Sequence, residues 1–325
     1  MQFLDAVAAS GLLPPELTGR LSRLTRSLAG QWGLTLRTEP VESAPGPGMA
    51  YLVIQLEKYG GDDTSYLVSY WHQWISPTWQ PVRGEDQRVD RAELEATVDR
   101  IVFETERRWA DKDGPVTIEF VLPWELLNAP VDAWRKELTS LSPTPLAMDY
   151  PVVVRSLERL QARHWHRLWR SRWRLLTTRS QAEDAVYFAD GDQTDIRLEA
   201  ILKSDMSLIA MVLNQPPAPR SAGEKQALAG LRAGLPILIW HREQPAESSI
   251  RPVLRSLMNS NSPADSGLAR LPAYIAQLRQ LAWEQDPDQR AEHVGYGFAI
   301  LWDDPDRQPG DVWPPSIAPD EALHG

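Results

Sequence analysis

Short apolar runs alternate with amphipathic segments through most of this 325-residue sequence. VTIEFVLP at residues 116–123 is almost wholly apolar, and LPILIWHRE at 235–243 and YGFAILWDDP at 296–305 follow the same pattern. Apolar runs of this length are typical of strands that are covered on both faces. Because they alternate with helical patterns, we predict an α/β fold with a mostly parallel sheet and helices on both faces.

Composition divides the sequence into three segments. Leucines at helical spacing and the Pro- and Gly-rich stretch TEPVESAPGPG predict an N-terminal helical segment and linker at residues 1–49. The α/β domain is predicted at residues 50–310, and an irregular tail at 311–325. At the start of the domain, AYLVIQLEKYG and TSYLVSYWHQW flank GGDD, which predicts a β-hairpin.

Composition also restricts the class of function. The formal net charge of -10 and the sequence pI near 5.2 argue against nucleic acid as the main partner. The absence of cysteine removes disulfides, thiolate nucleophiles and sulfur-ligated zinc. Since the sequence has neither an apolar run near the length of a membrane span nor a secretory signal, we predict a cytoplasmic protein without membrane contact.

The common signatures of catalysis and cofactor binding are missing from the sequence. GxGxxG, GxxxxGK[ST] and GxSxG do not occur. His164 and His166 would point apart on a helix, which does not suit a metal site. We therefore predict no catalytic residue, no cofactor and no metal site, and favour a function other than catalysis.

The segment RHWHRLWRSRW at residues 163–173 is an amphipathic helix by its spacing. At about 100° per residue, its apolar face holds Trp165, Leu168, Trp169, Trp173 and Leu176. The opposite, basic face holds Arg163, Arg167, Arg170 and Arg174. One interpretation is an ordinary helix with solvated arginines, and the other is a docking surface for an acidic partner.

Polar residues within and after the apolar runs are the remaining candidates. Glu119 and Glu125 could act as an acid/base pair, but pairing of Glu119 with Arg155 on a neighbouring strand is the favoured interpretation. Arg242 follows a strand at a position where α/β sheets bind ligands, or it is satisfied by neighbouring loops.

The acidic cluster Asp303, Asp304 and Asp306 follows the last apolar run. Carboxylates at this density bind Mg²⁺ or Ca²⁺, yet the cluster lacks the donor spacing of a calcium loop. Capping of a turn and pairing with the basic face of residues 163–174 are the alternatives.

One family resemblance joins these segments. The order IEFVLPWELLNAPVDAW, YPVVVRSLERL, RHWHRLWRSRWRLL, LRAGLPILIWHRE, LPAYIAQLRQLAW and FAILWDDPDRQP resembles the C-terminal domain of vWA-MoxR associated proteins (VMAP-C) over residues 50–310. The resemblance implies a non-catalytic adaptor of a bacterial conflict or signalling system. Its implied partners are a MoxR-type AAA+ ATPase, a vWA-domain protein and an effector, such as a peptidase, supplied in trans.

The resemblance also emphasises particular positions as structural or interface residues. They are Glu119, Pro123, Leu127, Val131, Trp134, Arg155, Trp173, Gly234, Pro236, Trp240, Arg242, Trp302, Asp303, Asp304 and Pro305. No peptidase or other effector segment is recognisable upstream of residue 50, so we expect either an effector supplied in trans or a minimal version of the adaptor.

Two other functions remain open at the level of sequence. The first is an α/β enzyme acting on a nucleotide or an NAD-like ligand, with Glu119, Glu125 or Arg242 in a closed cleft. The second is nucleic-acid binding through the basic face, with an affinity that falls steeply with salt. Convergence of the three polar residues in a cleft would favour the enzyme, whereas their burial in ion pairs would favour a scaffold.

Overall fold

The computed structural model describes residues 49–60, 64–179, 183–191, 195–243, 246–258 and 267–309. The strands in this part of the chain are β1 (Ala50–Lys58), β2 (Ser65–Gln73), β3 (Val82–Arg83), β4 (Gln87–Asp90), β5 (Val116–Leu122), β6 (Arg135–Lys136), β7 (Thr144–Pro145), β8 (Val152–Ser156), β9 (Val186–Phe188), β10 (Ala210–Val212), β11 (Ile237–His241) and β12 (Phe298–Trp302). The helices are α1 (Leu94–Trp109), α2 (Leu157–Gln161), α3 (His166–Arg179), α4 (Asp195–Ser204), α5 (Ala222–Arg232), α6 (Ala246–Met258), α7 (Leu271–Trp283) and α8 (Pro287–Arg290). Residues 1–48 of the predicted N-terminal segment and the predicted tail at 311–325 lie outside the described residues.

Ten of the described strands form one sheet with the order β3-β2-β1-β5-β8-β12-β11-β10-β9, and β4 also pairs with β2. Strands β1, β5, β8 and β12 are parallel neighbours. Strands β11, β10 and β9 are also parallel to one another, but β11 is antiparallel to β12. The prediction of a mostly parallel α/β sheet is therefore confirmed, with two blocks that run in opposite directions.

Helices cover both faces of this sheet, as predicted. Alternate residues of β11 enter different clusters of buried side chains: Leu238 and Trp240 pack on one face, and Ile237 and Ile239 on the other. Helices α1, α4 and α5 contribute to the first cluster, whereas α3, α6 and α7 contribute to the second. This two-sided burial explains why the strand sequences are apolar runs rather than alternating patterns.

The predicted hairpin is present at the start of the described domain. β1 and β2 are antiparallel, with Tyr51 opposite Gln73 and Lys58 opposite Tyr66. Because β1 also pairs with β5 in parallel, the hairpin extends the first parallel block, and β3 and β4 pair in turn with β2.

The chain changes direction across the sheet between β8 and β12. After β8 it continues to the far strand β9 and returns through β10 and β11 to place β12 beside β8. The carboxyl ends of β1, β5, β8 and β12 consequently share one edge, which we name the carboxyl edge. In open α/β sheets, ligands bind outside such an edge where the strand order reverses.

Candidate functional site

A cluster of charged side chains is buried at the carboxyl edge. We name it the buried ionic cluster, and its members are Glu119, Arg155, Arg159, Asp303, Asp304 and Arg307. It contains three carboxylates and three guanidinium groups, so its formal charges cancel. Glu119 lies on β5, Arg155 on β8, and Asp303 immediately after β12, so the cluster joins three adjacent strands.

Arg155 is the centre of the buried ionic cluster. Its Nη1 donates to Glu119 Oε2 at 2.8 Å, its Nε to Asp303 Oδ1 at 3.1 Å, and its Nη2 to the backbone oxygen of Asp304 at 2.7 Å. Burial alone would lower the pKa of Arg155, but the carboxylates of Glu119 and Asp303 outweigh it and raise that pKa. The ion pair that the sequence favoured between Glu119 and Arg155 is present, and Asp303 extends it.

Arg307 binds the second oxygen of Glu119. Its Nε and Nη2 lie 2.9 Å and 2.8 Å from Glu119 Oε1, and its guanidinium lies 4.1 Å from the ring centre of Tyr51. Burial raises the pKa of Glu119, but Arg307 and Arg155 outweigh burial and hold that pKa below its ordinary value. Glu119 is therefore held ionised by two arginines, which does not suit a proton donor in catalysis.

The chain after β12 covers the carboxyl edge. We name residues 303–309 the closing segment. Trp169 Nε1 donates to the backbone oxygen of Asp303 at 2.8 Å, and Trp79 Nε1 donates to that of Gln308 at 2.6 Å. Together with Arg307, these contacts place the protein's own residues at the edge where an α/β fold would bind a ligand.

The acidic residues of the closing segment are engaged within the chain. Asp303 pairs with Arg155 and lies 3.5 Å from Arg159 Nη1. Asp304 pairs with Arg307, and its Oδ1 accepts the backbone N–H of Asp306 at 2.9 Å, which caps a turn. Among the described residues, no group of three or more histidine, aspartate or glutamate side chains is arranged to hold a metal ion.

Arg242 lies at the opposite edge of the sheet from Glu119. Because β11 is antiparallel to β12, its carboxyl end lies where β8 and β12 begin. Arg242 Nη2 lies 2.7 Å from Asp132 Oδ1, and Arg279 Nε lies 3.3 Å from Asp132 Oδ2. Burial raises the pKa of Asp132, but Arg242 and Arg279 outweigh it and lower that pKa. Arg242 and Glu119 therefore belong to two separate ion clusters.

Glu125 is half-buried in a short turn after β5 and does not join the buried ionic cluster. Its negative charge acts on Glu158, which accepts the backbone N–H of Trp124 at 2.7 Å and the hydroxyl of Ser156 at 3.0 Å. Burial raises the pKa of Glu158, and the carboxylate of Glu125 raises it further. The cleft that would have favoured an enzyme, with Glu119, Glu125 and Arg242 together, is thus not formed by these residues.

The tryptophan and arginine segment has the two faces that its spacing predicted, although its first residues differ from a regular helix. Arg163–Trp165 form one turn of 3-10 helix, and α3 begins at His166. Trp169 is fully buried, and Trp165 and Trp173 are partly buried. On the other side, four exposed arginines form what we name the arginine face: Arg163, Arg167, Arg170 and Arg174.

Arg172 is a structural residue that the sequence interpretation missed. Its guanidinium is fully buried and donates to the backbone oxygens of Leu202 and Leu208. Burial lowers the pKa of Arg172 to about 10. At about 100° per residue, position 172 falls among the tryptophans rather than the arginines, so the helical spacing already contained the signal.

Residues 64–305, which are most of the chain, match the family described as the vWA-MoxR associated protein C-terminal domain (VMAP-C). The matched range includes the arginine face and, apart from Arg307, the buried ionic cluster. The comparison with curated proteins found no match. Among the helices of the described ranges, none has the length and apolar character needed to cross a lipid bilayer.

Proposed function

Because the chain belongs to the family of vWA-MoxR associated protein C-terminal domains, we propose that it is the adaptor of a bacterial vWA–MoxR conflict or signalling system. The family description itself pairs such domains with vWA and MoxR proteins. In this proposal the chain acts in the cytoplasm without catalysis. It links an effector supplied in trans to a MoxR-type AAA+ ATPase and a vWA-domain protein.

The arginine face carries this proposal. Its four arginines, of which Arg163 lies in the 3-10 turn and the other three lie on α3, are exposed on one side. On the other side, Trp169 is fully buried and hydrogen-bonded to Asp303. This buried tryptophan holds the helix in a fixed orientation, so the cations are presented as one surface. In a chain with a net charge of -10, a local positive surface of this kind favours association with an acidic partner surface.

The buried ionic cluster supports a scaffold rather than an enzyme. Glu119 has both carboxylate oxygens bound by arginines, and the closing segment lies across the edge where a ligand would bind. Moving one element away from a buried ion pair of this type would leave an uncompensated charge on the other. Such pairs therefore hold neighbouring elements in a fixed orientation. The cluster therefore stabilises the arrangement of β5, β8 and β12 behind α3.

A charge-reversal experiment tests the proposed docking surface. The tagged chain is co-expressed with the MoxR-type ATPase and the vWA-domain protein of its own genome, and the complex is measured by affinity capture and size-exclusion chromatography. We expect the wild-type chain to capture both partners. We expect Arg167→Glu with Arg170→Glu to weaken capture strongly, and the variant that also carries Arg163→Glu and Arg174→Glu to abolish it.

The matched control is Arg107→Glu with Arg108→Glu, two exposed arginines near the end of α1 that give the same change of net charge. This control should retain the complex, and circular dichroism should show that both variants are folded. Capture by the arginine-face variant at the wild-type level would overturn the docking surface. Failure of the folded wild-type chain to capture either partner would overturn the adaptor.

Nuclease treatment and salt dependence distinguish a protein partner from nucleic acid. If the arginine face bound nucleic acid, the complex would be lost after nuclease treatment, and the logarithm of its affinity for a duplex would fall linearly with the logarithm of salt concentration. We expect the protein complex to survive nuclease treatment.

A further inference from the structure

A second site lies at the edge opposite the carboxyl edge, away from the buried ionic cluster. A cavity of about 310 Å³ opens there between the end of β2, the end of α1 and the starts of β5 and β8. Its lining includes Trp74, Glu106, Trp109, Lys112, Asp149 and Tyr150. Its volume is at the lower end of ligand pockets in proteins, which suits one long side chain better than a nucleotide.

Two indole rings form one wall of this cavity. The ring centres of Trp74 and Trp109 are 5.3 Å apart, with an angle of 60° between the rings. Trp109 is almost fully buried and fixes the position of Trp74, which is partly buried. The ammonium of Lys112 lies 5.4 Å from the ring centre of Trp74, so this indole is already in contact with a cation from the chain itself.

Two carboxylates contribute to the lining of the cavity. Glu106 Oε1 accepts the hydroxyl of Tyr150 at 2.8 Å, and Asp149 Oδ2 lies 2.9 Å from Lys136 Nζ. Burial raises the pKa of Tyr150, and the hydrogen bond to Glu106 raises it further, so the tyrosine stays a donor that orients the carboxylate. The contact with Tyr150 uses Oε1, and a carboxylate has a second oxygen, Oε2, that can accept from another donor.

We propose that this cavity binds the guanidinium group of an arginine from a partner protein. An indole face attracts a cation, and a carboxylate held by a tyrosine accepts its N–H groups. Arginine suits this lining better than lysine because its planar group stacks on an aromatic ring and donates to a carboxylate at the same time. Lys112 is exposed and has a flexible stem, so it competes for the indole and moves aside when the guanidinium enters.

Binding of a short peptide tests the proposal on the full chain. Acetyl-Gly-Arg-Gly-amide is titrated while the indole N–H signal of Trp74, assigned with Trp74→Phe, is followed by NMR. We expect saturable shifts with the arginine peptide, weaker shifts with the lysine peptide and none with the citrulline peptide, which has the same shape without the charge. Methylguanidine should bind more weakly than the peptide, because it lacks the backbone of a protein segment.

Two variants with opposite expected effects on binding affinity distinguish a specific site from general structural damage. Glu106→Gln keeps an acceptor for Tyr150 and removes the charge, and it should weaken binding about tenfold. Lys112→Ala removes the competing cation and should strengthen binding several-fold, which structural damage would not do. The control is Arg107→Ala, an exposed residue of α1 outside the described lining, which should leave the affinity unchanged.

Equal binding of the citrulline and arginine peptides, or weaker binding by Lys112→Ala, would overturn the proposal. Equal affinity for methylguanidine and the peptide would overturn the protein source of the guanidinium. Because the described lining of the cavity contains no residue of the arginine face, Arg167→Glu with Arg170→Glu should not change peptide binding. The two proposals can therefore fail independently.

Discussion

Arg155 Nε lies 3.1 Å from Asp303 Oδ1, and both side chains are fully buried. This ion pair joins the carboxyl ends of β8 and β12, the two strands between which the chain reverses its direction across the sheet. At this position many α/β proteins leave space for a ligand, whereas here the buried ion pair occupies it.

Removal of Arg155 should destabilise the domain strongly. In Arg155→Met, Glu119 loses one of its two arginine partners and Asp303 loses its closest one, so we expect the free energy of unfolding to fall by about 3–5 kcal/mol. The free energy of unfolding of Arg155→Lys should lie between those of this variant and the wild type, because an ammonium cannot reach the same set of acceptors. Urea unfolding measures all three proteins, and a loss below about 1 kcal/mol in Arg155→Met would show that the cluster contributes little.

Two arginines of α3 form a matched pair for a second test. Arg172→Leu leaves the backbone oxygens of Leu202 and Leu208 without their buried donor, so we expect a loss of about 1–3 kcal/mol in the free energy of unfolding. Arg170→Leu, at an exposed position on the same helix, should change it by no more than about 0.5 kcal/mol. Equal stability of the two variants in urea unfolding would contradict the structural role of Arg172.

His241 should make stability depend on pH near neutrality. Burial lowers the pKa of His241 below its ordinary value of 6.5, so the folded chain resists protonation that the unfolded chain accepts. The free energy of unfolding should therefore fall as pH decreases from 7.5 to 5.5, by at most about 1.4 kcal/mol per pH unit for this residue.

In His241→Gln this decrease should be shallower. A residual slope is expected from His72, whose pKa is also lowered by burial, with Arg108 and Lys112 adding to the effect. Urea unfolding at the two pH values gives the slopes. The same slope in the variant and the wild type would assign the pH dependence to other groups.

Gly297 should tolerate no side chain. A Cβ at this position would lie 2.3 Å from His241 Cε1. The imidazole is buried and its Nε2 lies 3.2 Å from the backbone oxygen of Val294, so displacing it would disturb the packing around it. We expect Gly297→Ala to lose about 1–3 kcal/mol of unfolding free energy. The control is Gly191→Ala, where the nearest atom is the amide of the exposed Asn214, which can rotate away. Similar thermal stability of the two variants would refute the tight packing.

The strands could be predicted from the sequence because burial on both faces is written into their composition. VTIEFVLP became β5, and the two runs around GGDD became the hairpin of β1 and β2. Strand direction could not be predicted in the same way, since an apolar run such as β11 has no feature that separates a parallel from an antiparallel neighbour. The reversal at β11 carried Arg242 to the edge opposite Glu119.

The part of the candidate site that depends on a contact between adjacent strands could be predicted. The part that depends on residues far apart in the sequence could not. The pairing of Glu119 with Arg155 followed from adjacent strands. The role of Arg307 did not, because it lies 188 positions beyond Glu119 and reaches it through the closing segment. Asp132 and Arg279 were missed for the same reason: an isolated charge in a sequence does not reveal whether a distant partner will bury it.

Strand β12 occupies the middle of the sheet although it is the last strand of the described chain. During synthesis, β1 to β11 leave the ribosome first, and β8 and β11 then each expose a row of backbone groups that β12 will later pair. Until residues 298–302 are available, the two parallel blocks of the sheet lack the strand that joins them. A chain truncated before residue 298 would therefore leave the edges of β8 and β11 unpaired, and unpaired edges of this kind promote aggregation.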